Sequence, residues 1–490
     1  MDIPLLCGTV TASTMAGLTA ARDRMAGIAD LVELRLDGVA DLDVERALAG
    51  RPGPVIVTCR PRREGGRYEG TEDQRLAVLE RASALGAEYI DVEWDATRTP
   101  LVARRAGRGV VVSAHDCAGV PTDLIDRFAA MRATGAEVVK VAVTANALTD
   151  NLPLLDLGRT EAGQGRVALV AMGEPGLPSR VLAARFGSCW TYSGDGVAPG
   201  QLTPERMISE FRFRSTTATT PVFGLVGRPT EHSVSPAMHN AAFGAAGIDA
   251  VYLPLAARDY ADFRAFASAV ALAGASVTTP FKLEALRAAD EAHDQARRCG
   301  AANTVVVAEG RWVAKNADIE GFLTPLDARG VRLVGMRCAV LGAGGAARAV
   351  VVALAGRGAS VVVYSRREDA AREAAGLMAG AQGRPGLPAA GSFDLLINAT
   401  PVGMWPAVDA SPVPATVLSR DAIVYDLVYN PRRTALLQAA EAAGCVVVPG
   451  LEMLIAQAGR QFEWWTGVAA PLDVMRAAAA DRLRQMTGEA

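Results

Sequence analysis

Residues 338–350 read CAVLGAGGAARAV, an apolar run, a glycine cluster and an Ala/Val-rich run. The order predicts a strand, a tight turn and a helix, with Gly342, Gly344 and Ala347 in the G-x-G-x-x-G/A pattern. Gly342 permits the turn, Gly344 lets the backbone come close to a pyrophosphate, and the helix N-terminus faces that charge. The expected contacts are Gly342, Ala343, Gly344, Gly345 and Ala346. The next apolar run, Ser360–Tyr364, ends in Ser365, Arg366 and Arg367. An acidic residue there would hold a ribose 2′-hydroxyl; two arginines suit a 2′-phosphate, so NADP is the expected cofactor.

Moving outward, the first 200 residues follow another rhythm. Eight short runs rich in β-branched residues, Leu5–Val10, Leu31–Leu36, Val55–Thr58, Tyr89–Val92, Val110–Ser113, Val138–Val143, Val167–Ala171 and Cys189–Tyr192, alternate with stretches of helical spacing such as Glu72–Leu85 and Thr122–Thr134. Eight buried-type strands alternating with helices predict a (β/α)8 barrel, whose active site collects at the C-terminal strand ends. Those ends carry Glu33, Arg35, Arg60, Glu93, His115, Lys140 and Met172. The same rhythm also fits a doubly wound open sheet. Residues 214–221, RSTTATTP, read as a linker. The α/β pattern restarts at PVFGLVG and again at Cys338. The expected organisation is a barrel over 1–213, a linker over 214–221, a smaller α/β lobe over 222–325, a Rossmann nucleotide-binding lobe over 326–465, and a C-terminal helix within 466–490 packing back on the smaller lobe.

A chain of 490 residues, half of them apolar, can bury several cores, which excludes disorder and collagen-like repeats. A net charge of −3 argues against a nucleic-acid or membrane-surface protein. No 18-residue apolar stretch is free of charge, and the chain begins MDIPLLCGTV without a basic leader. Seven cysteines without a CxxC pair read as reduced thiols. A cytoplasmic protein acting on small molecules, without nucleic-acid or membrane partners and without a metal site, is expected.

Only three of the 50 basic residues are lysines: Lys140, Lys282 and Lys315. Arginine stays charged near neutral pH, so amine chemistry falls to these three. Lys140 lies within VVKVAV, an apolar setting that favours the neutral, nucleophilic amine. His115, in VVVSAHDC, is the one histidine of the first half. A lysine and a histidine on neighbouring strands equip a site for Schiff-base chemistry on a ketone, the imine acting as electron sink and the histidine moving protons.

The second half carries FGLVGRPTEHSVSPAMHN, SVTTPFK, GAANT, NADIEGF, LGAGGAAR, NATPVGM, VYDLVYNP, GLEMLIAQA and FEWWTG. From about Phe223 to Gly467 it resembles shikimate dehydrogenase. The resemblance implies that Ser233 and Ser235 bind the substrate carboxylate, while Thr278, Lys282, Asn303, Asp318, Tyr429 and Gln457 surround the hydroxyls and ring. It makes Lys282 and Asp318 the catalytic pair, and puts Asn398, Thr400, Met404 and Gly450 against the cofactor. Ser276 and Ala317 depart from the commonest residues, Asn and Thr, at positions that bear on shikimate against quinate preference.

The first half, over about residues 4–205, carries VELRLD, VTCRPRREGG, IDVEW, SAHDC, VVKVAV, AMGEPGLPSR, FGSCWTY and APGQLT, and resembles type I 3-dehydroquinate dehydratase. By that resemblance Lys140 forms the imine and His115 moves the protons, with Glu64 orienting His115. Arg180 holds the carboxylate, and Glu33, Arg35, Arg60 and Gln201 bind hydroxyls or close the site. Val197 replaces the usual Ser before APGQ, which removes one lid contact.

The two resemblances together imply a bifunctional enzyme of aromatic biosynthesis, dehydrating 3-dehydroquinate to 3-dehydroshikimate and reducing that with NADPH to shikimate. Competing readings are a reductase half that prefers quinate or NAD, a metabolite sensor built from inactive copies, and a generic dinucleotide-binding protein with an unrelated barrel. Lys140, His115, Lys282 and Asp318, all present, argue against the sensor.

Overall fold

The computed structural model describes residues 3–94 and 99–487. Contacts divide the chain into two compact units, Met1–Pro221 with Asp249–Ala271, and Val222–Ile248 with Leu272–Ala490.

The first unit contains eight parallel strands: β1 (Leu5–Thr11), β2 (Leu31–Arg35), β3 (Val55–Thr58), β4 (Tyr89–Glu93), β5 (Val110–Asp116), β6 (Val138–Thr144), β7 (Arg166–Met172) and β8 (Trp190–Ser193). Their order is β7-β6-β5-β4-β3-β2-β1-β8. The ring closes because Ser188, just before β8, bridges Val167 of β7, and Cys189 N donates to Val167 O at 2.8 Å. The fold is therefore a barrel, and the open-sheet alternative is excluded. Local sequence explains the helices between strands. Thr71 and Gln74 form a capping box that starts Glu72–Ala84. The expected helix over 122–134 begins only at Leu124, because Leu124 N first closes a turn onto Pro121 O.

Residues 249–271 belong to the first compact unit. They form β9 (Val251–Ala256) and the helix Tyr260–Ala269. Asp262 of that helix accepts from Leu148 N, Thr149 N and Thr149 Oγ1 in the turn after β6. The expected linker is tied down as well: Arg185 donates to Ala218 O and Thr220 O.

The second unit holds two sheets. One runs Val222–Gly227, Leu272–Val277, Thr304–Ala308, Arg311–Lys315 and Glu291–Ala292, with parallel and antiparallel pairs mixed. The other is parallel throughout, in the order Gln382–Pro385, Ser360–Ser365, Arg337–Leu341, Leu395–Asn398, Ile423–Asp426, Val446–Pro449. This is a doubly wound, Rossmann-type sheet whose strand order reverses at Arg337–Leu341. Helix Gly450–Thr466 packs on helix Asp318–Asp327, with Gly321 so close that a Cβ there would stand 2.7 Å from Gln457 Cβ. Helix Leu472–Thr487 packs on Ser235–Ala245, and residues 488–490 of the expected C-terminal helix lie outside the described residues. No described helix is long and apolar enough to cross a membrane.

Two candidate active sites

Alternate residues of each barrel strand point inward and stack in layers. The lowest layer is apolar: Cys7, Leu31, Ile56, Val111, Val138, Ala168 and Trp190 belong to one core cluster. Two residues further along the strands the layer turns polar, with Thr9, Glu33, Thr58, Asp91, Ser113, Lys140 and Tyr192, none more than 6% exposed. Burying so many polar groups requires that they satisfy one another.

They do so around Lys140. Its Nζ lies 3.1 Å from Asp91 Oδ2 and 3.4 Å from Glu33 Oε1. Thr58 and Thr9 donate to the two oxygens of Glu33, each at 2.9 Å. Asp91 accepts from Ser113 Oγ at 2.5 Å and pairs with Arg60 at 2.9 Å. Burial pushes the Asp91 carboxyl up, but the Arg60 and Lys140 cations outweigh it and hold the group well below the usual carboxylate range. Two features differ from the sequence reading. Lys140 is the third residue of β6, well before its end, and faces Ser113 across the β5–β6 pair. Its surroundings are two carboxylates rather than the neighbouring valines. Asp91 is a site residue the strand-end reading missed; the signal was the alternation Tyr89, Asp91, Glu93.

The next layer carries the proton-handling groups. His115 Nδ1 lies 2.9 Å from Glu64 Oε2. Glu64 closes a short turn, Arg62–Glu64, followed by Gly65 at φ 77° and by Gly66. A Cβ on Gly66 would stand 2.0 Å from Arg60 O, so the two glycines let the turn fold back over the barrel. Burial pushes Glu64 up to about 7, with Glu93 and Asp91 adding to the effect against Arg60. Burial, then the Arg60 and Lys140 cations, depress His115 well below its ordinary value, leaving a neutral imidazole. Arg60 also bonds Glu93 and Ser113 Oγ, each at 2.8 Å, and Arg75 holds the other Glu93 oxygen at 2.7 Å. Arg35 is committed to Asp37 through a two-point fork.

Arg180 is 2% exposed and donates only to the carbonyls of Ala171 and Pro199, with Nε unpaired among the described residues. Burial alone lowers it to about 10. A buried guanidinium without a carboxylate partner is arranged for an anion arriving from outside. It borders a cavity of about 160 Å³ lined also by Glu64, His115, Lys140, Val197 and Gln201. The cavity thus brings together all eight expected barrel-site residues, with Met172 on its wall.

In the second unit the carboxylate of Asp318 organises a second site. Lys282 Nζ lies 2.6 Å from Asp318 Oδ2, and Asn303 Nδ2 donates to Oδ1 at 2.8 Å. Asn303 Nδ2 also donates to Gln457 Oε1 at 3.3 Å, and Asn303 Oδ1 accepts from Ala317 N and Thr304 Oγ1. Ser276 donates to Gln461 Oε1 at 2.7 Å, and Gln461 in turn donates to Thr304 Oγ1. The two departures, Ser276 and Ala317, therefore sit in the network that fixes Asn303. Ser233 Oγ accepts from Ser235 N at 3.1 Å. Burial raises the Tyr429 phenol, partly offset by a hydrogen bond with Ser233. Thr278 packs under Gly227, where a Cβ would stand 2.2 Å from its methyl group.

The nucleotide turn meets this site directly, since a Cβ on Gly345 would stand 2.8 Å from Lys282 Cδ. Gly342 has φ 103°, a conformation that favours glycine, and open space lies where a Gly344 side chain would project. Helix Gly345–Gly356 starts there, so unpaired backbone N–H groups face that space. Arg366 and Arg367 are exposed and make no ion pair among the described residues. The turn and the arginines fit a dinucleotide bearing a 2′-phosphate. Asn398 is fully buried and holds Val402 O and Asp426, so its side chain pegs the loop that carries Thr400 and the half-exposed Met404. Gly450 is pressed against Leu427 O.

Comparison with known proteins covers both halves. Residues 6–217 match the family described as type I 3-dehydroquinase. Residues 225–305 match the shikimate dehydrogenase substrate binding domain, and residues 450–480 the shikimate 5′-dehydrogenase C-terminal domain. The bifunctional 3-dehydroquinate dehydratase/shikimate dehydrogenase, chloroplastic, of Arabidopsis thaliana is 34% identical over 504 residues, covering 96% of this chain and 83% of that protein. The NADP(+) shikimate dehydrogenase of Moorella thermoacetica is 42% identical and covers 53% of this chain and 92% of its own. Among solved structures, shikimate dehydrogenase from Thermus thermophilus with NADP(H) and shikimate is 37% identical, with a TM-score of 0.50 over 54% of this chain and 99% of that one. Another shikimate dehydrogenase, in complex with NADP+, gives 35% identity and a TM-score of 0.51 over 55% of this chain and 97% of its own.

Proposed function

Because the chain belongs to the family of bifunctional 3-dehydroquinate dehydratase/shikimate dehydrogenases, we propose that Lys140 and Lys282 perform the two reactions in turn. The first half is a type I 3-dehydroquinase, a lyase, and the second an NADP-dependent shikimate dehydrogenase. The product of the first, 3-dehydroshikimate, is the substrate of the second.

In the barrel, Lys140 attacks the ring ketone and forms an imine. Neutral His115 takes the proton from the adjacent carbon, and the imine receives the electron pair. His115 then returns the proton to the departing hydroxyl, which leaves as water. Glu64, bonded to Nδ1, fixes the ring so that Nε2 faces the substrate and balances the imidazolium that forms. Arg180 receives the substrate carboxylate, while Glu33, Arg35, Arg60 and Gln201 line its hydroxyl side. The observation that carries this half is the convergence on one cavity of Lys140, His115 and a buried arginine that has no carboxylate partner among the described residues.

In the second unit the turn Gly342–Ala346 holds the pyrophosphate of NADP, and Ser365, Arg366 and Arg367 hold the 2′-phosphate. When bound, NADPH supplies a hydride to the substrate carbonyl carbon. Lys282, oriented by Asp318, gives a proton to the carbonyl oxygen. Ser233 and Ser235 hold the carboxylate, and Thr278, Asn303, Tyr429 and Gln457 surround the hydroxyls and ring. Thr400, Met404 and Gly450 line the cofactor side, along the loop pegged by Asn398. The carrying observation is the Lys282–Asp318 pair lying against Gly345.

The test is one mixture of protein, 3-dehydroquinate and NADPH, followed by NADPH absorbance. Steady loss of NADPH that stops in Lys140→Ala and, separately, in Lys282→Ala is expected. Addition of 3-dehydroshikimate restores the loss in the first variant only. Unchanged turnover in either variant refutes the corresponding assignment.

A further inference from the structure

Lys140 has a third neighbour besides Glu33 and Asp91. The ring of Tyr192, on β8, presents its face to Nζ, with the nitrogen 4.1 Å from the ring centroid. Tyr192 is 6% exposed, and burial raises its phenol well above the ordinary value, with Glu33 adding to the effect and a hydrogen bond to Trp190 offsetting a little of it. The ring face is the part of Tyr192 that meets the Lys140 nitrogen. A cation over an aromatic face is attracted by the negative centre of the ring, more strongly where water is excluded. Nζ thus sits in a seat of two carboxylates and one ring face, all directed at a single nitrogen.

Such a seat suits the reaction assigned to Lys140. Condensation begins when the ammonium gives one proton to a neighbouring carboxylate, Glu33 or Asp91, and the freed lone pair joins nitrogen to the carbonyl carbon. The carbonyl oxygen leaves as water with two of the three ammonium protons, and the nitrogen becomes a protonated imine with one proton left. The charge on nitrogen is +1 before and after. The substrate enters from the cavity side, so the wall formed by Asp91, Glu33 and Tyr192 remains in contact with the nitrogen throughout. We propose that Tyr192 is a positioning residue of the dehydratase, whose ring face holds the Lys140 nitrogen in line with the cavity and stabilises the positive charge carried there by the protonated imine. The proposal rests on Lys140 being the imine-forming residue.

The experiment combines kinetics with borohydride trapping, in which hydride adds to the imine carbon and leaves a stable secondary amine on the peptide containing Lys140. The full-length protein, Tyr192→Phe, Tyr192→Leu and a variant with 3,4,5-trifluorophenylalanine at 192 are compared, with 3-dehydroshikimate reduction as the control for folding. The phenylalanine variant keeps the ring face and is expected within about threefold of the parent in dehydratase kcat. The leucine variant is expected to lose roughly tenfold in kcat and to give less trapped adduct, with the trifluorinated ring in between because fluorine weakens the negative face. The trifluorinated variant keeps the shape, so it carries the test if the leucine variant fails to fold. Equal activity and trapping across the series, or a loss in Tyr192→Phe as large as in Tyr192→Leu, overturns the role of the ring. Absence of a trapped adduct on Lys140 in the parent instead overturns the Schiff-base reading, and the proposal with it.

Discussion

Glu64 Oε2 and His115 Nδ1 lie 2.9 Å apart, and burial moves the two groups in opposite directions, the carboxyl up to about 7 and the imidazole well below its ordinary value. Near neutrality the imidazole is a free base, and the carboxyl is the group of the pair that titrates. An ionised Glu64 accepts from Nδ1–H and balances the imidazolium; a protonated one does neither. The dehydratase rate is therefore expected to rise with pH through a midpoint near 7. Glu64→Gln should remove that limb and lower kcat by roughly 10–100-fold, a fraction of the general-base contribution. A pH–rate profile of both proteins checks this. The stability effect has the opposite sign: a carboxyl raised in the folded state contributes stability fully below about 4.5, which is lost as pH rises through about 7. Thermal midpoints at pH 5 and pH 8 should consequently fall more in the parent than in Glu64→Gln.

Asp91 stands between two buried cations, Lys140 and Arg60. Removing one partner of a buried ion pair leaves the others uncompensated in a medium that solvates them poorly. Asp91→Asn is expected to destabilise the barrel unit by about 3 kcal/mol and to reduce dehydratase activity at least tenfold, while reduction of added 3-dehydroshikimate continues. Denaturant unfolding and the two separate assays decide this; an unaffected dehydratase would remove Asp91 from the site.

Why Asp91 escaped the sequence reading, while Lys140 and His115 did not, has a physical reason. Strand ends are visible in a sequence because the chain changes character there, and His115, near the end of β5, was legible in that way. Inward direction in the middle of a strand depends on register, which one residue of shift inverts. Asp91 and Lys140 both lie mid-strand, and Lys140, expected at a strand end, stood out as well through the rarity of lysine. Barrel closure was illegible for a related reason: it brings the first strand to the last, Leu5 beside Trp190, and no local pattern reports pairing between the two ends of a repeat. The nucleotide turn was fully local, from Gly342 to the helix start at Gly345, so the sequence sufficed. Likewise, nothing in the sequence announced that Ser276 would pair with Gln461, 185 residues away.

The Lys282–Asp318 contact of 2.6 Å, with Asn303 on the second carboxylate oxygen, predicts a reductase in which charge and geometry are separable. Asp318→Asn keeps the shape and Asn303 nearby but removes the charge that orients the ammonium. Its kcat for 3-dehydroshikimate reduction is expected to fall roughly 100–10,000-fold, the usual range for a positioned proton donor. The dehydratase rate should stay unchanged. Steady-state kinetics of each half checks this, and a kcat within threefold of the parent would exclude the pair from proton transfer.

The arginines after the second strand of the nucleotide sheet supply the last test. Arg366 and Arg367 are exposed, have no described ion-pair partner, and follow Ser365, whose Oγ accepts from Arg367 N at 3.3 Å. A guanidinium fork gains most from a doubly charged phosphate and little from a hydroxyl. Arg366→Ala and Arg367→Ala should therefore raise KM for NADPH by roughly 10–100-fold in combination, about 1.4–2.7 kcal/mol in total, less than two buried charged hydrogen bonds because both side chains are exposed, while KM for NADH moves less than threefold. The NADPH effect should shrink at high salt, because both side chains are solvent-exposed. Equal losses for both cofactors would mean that these arginines support the turn and do not read the 2′-phosphate.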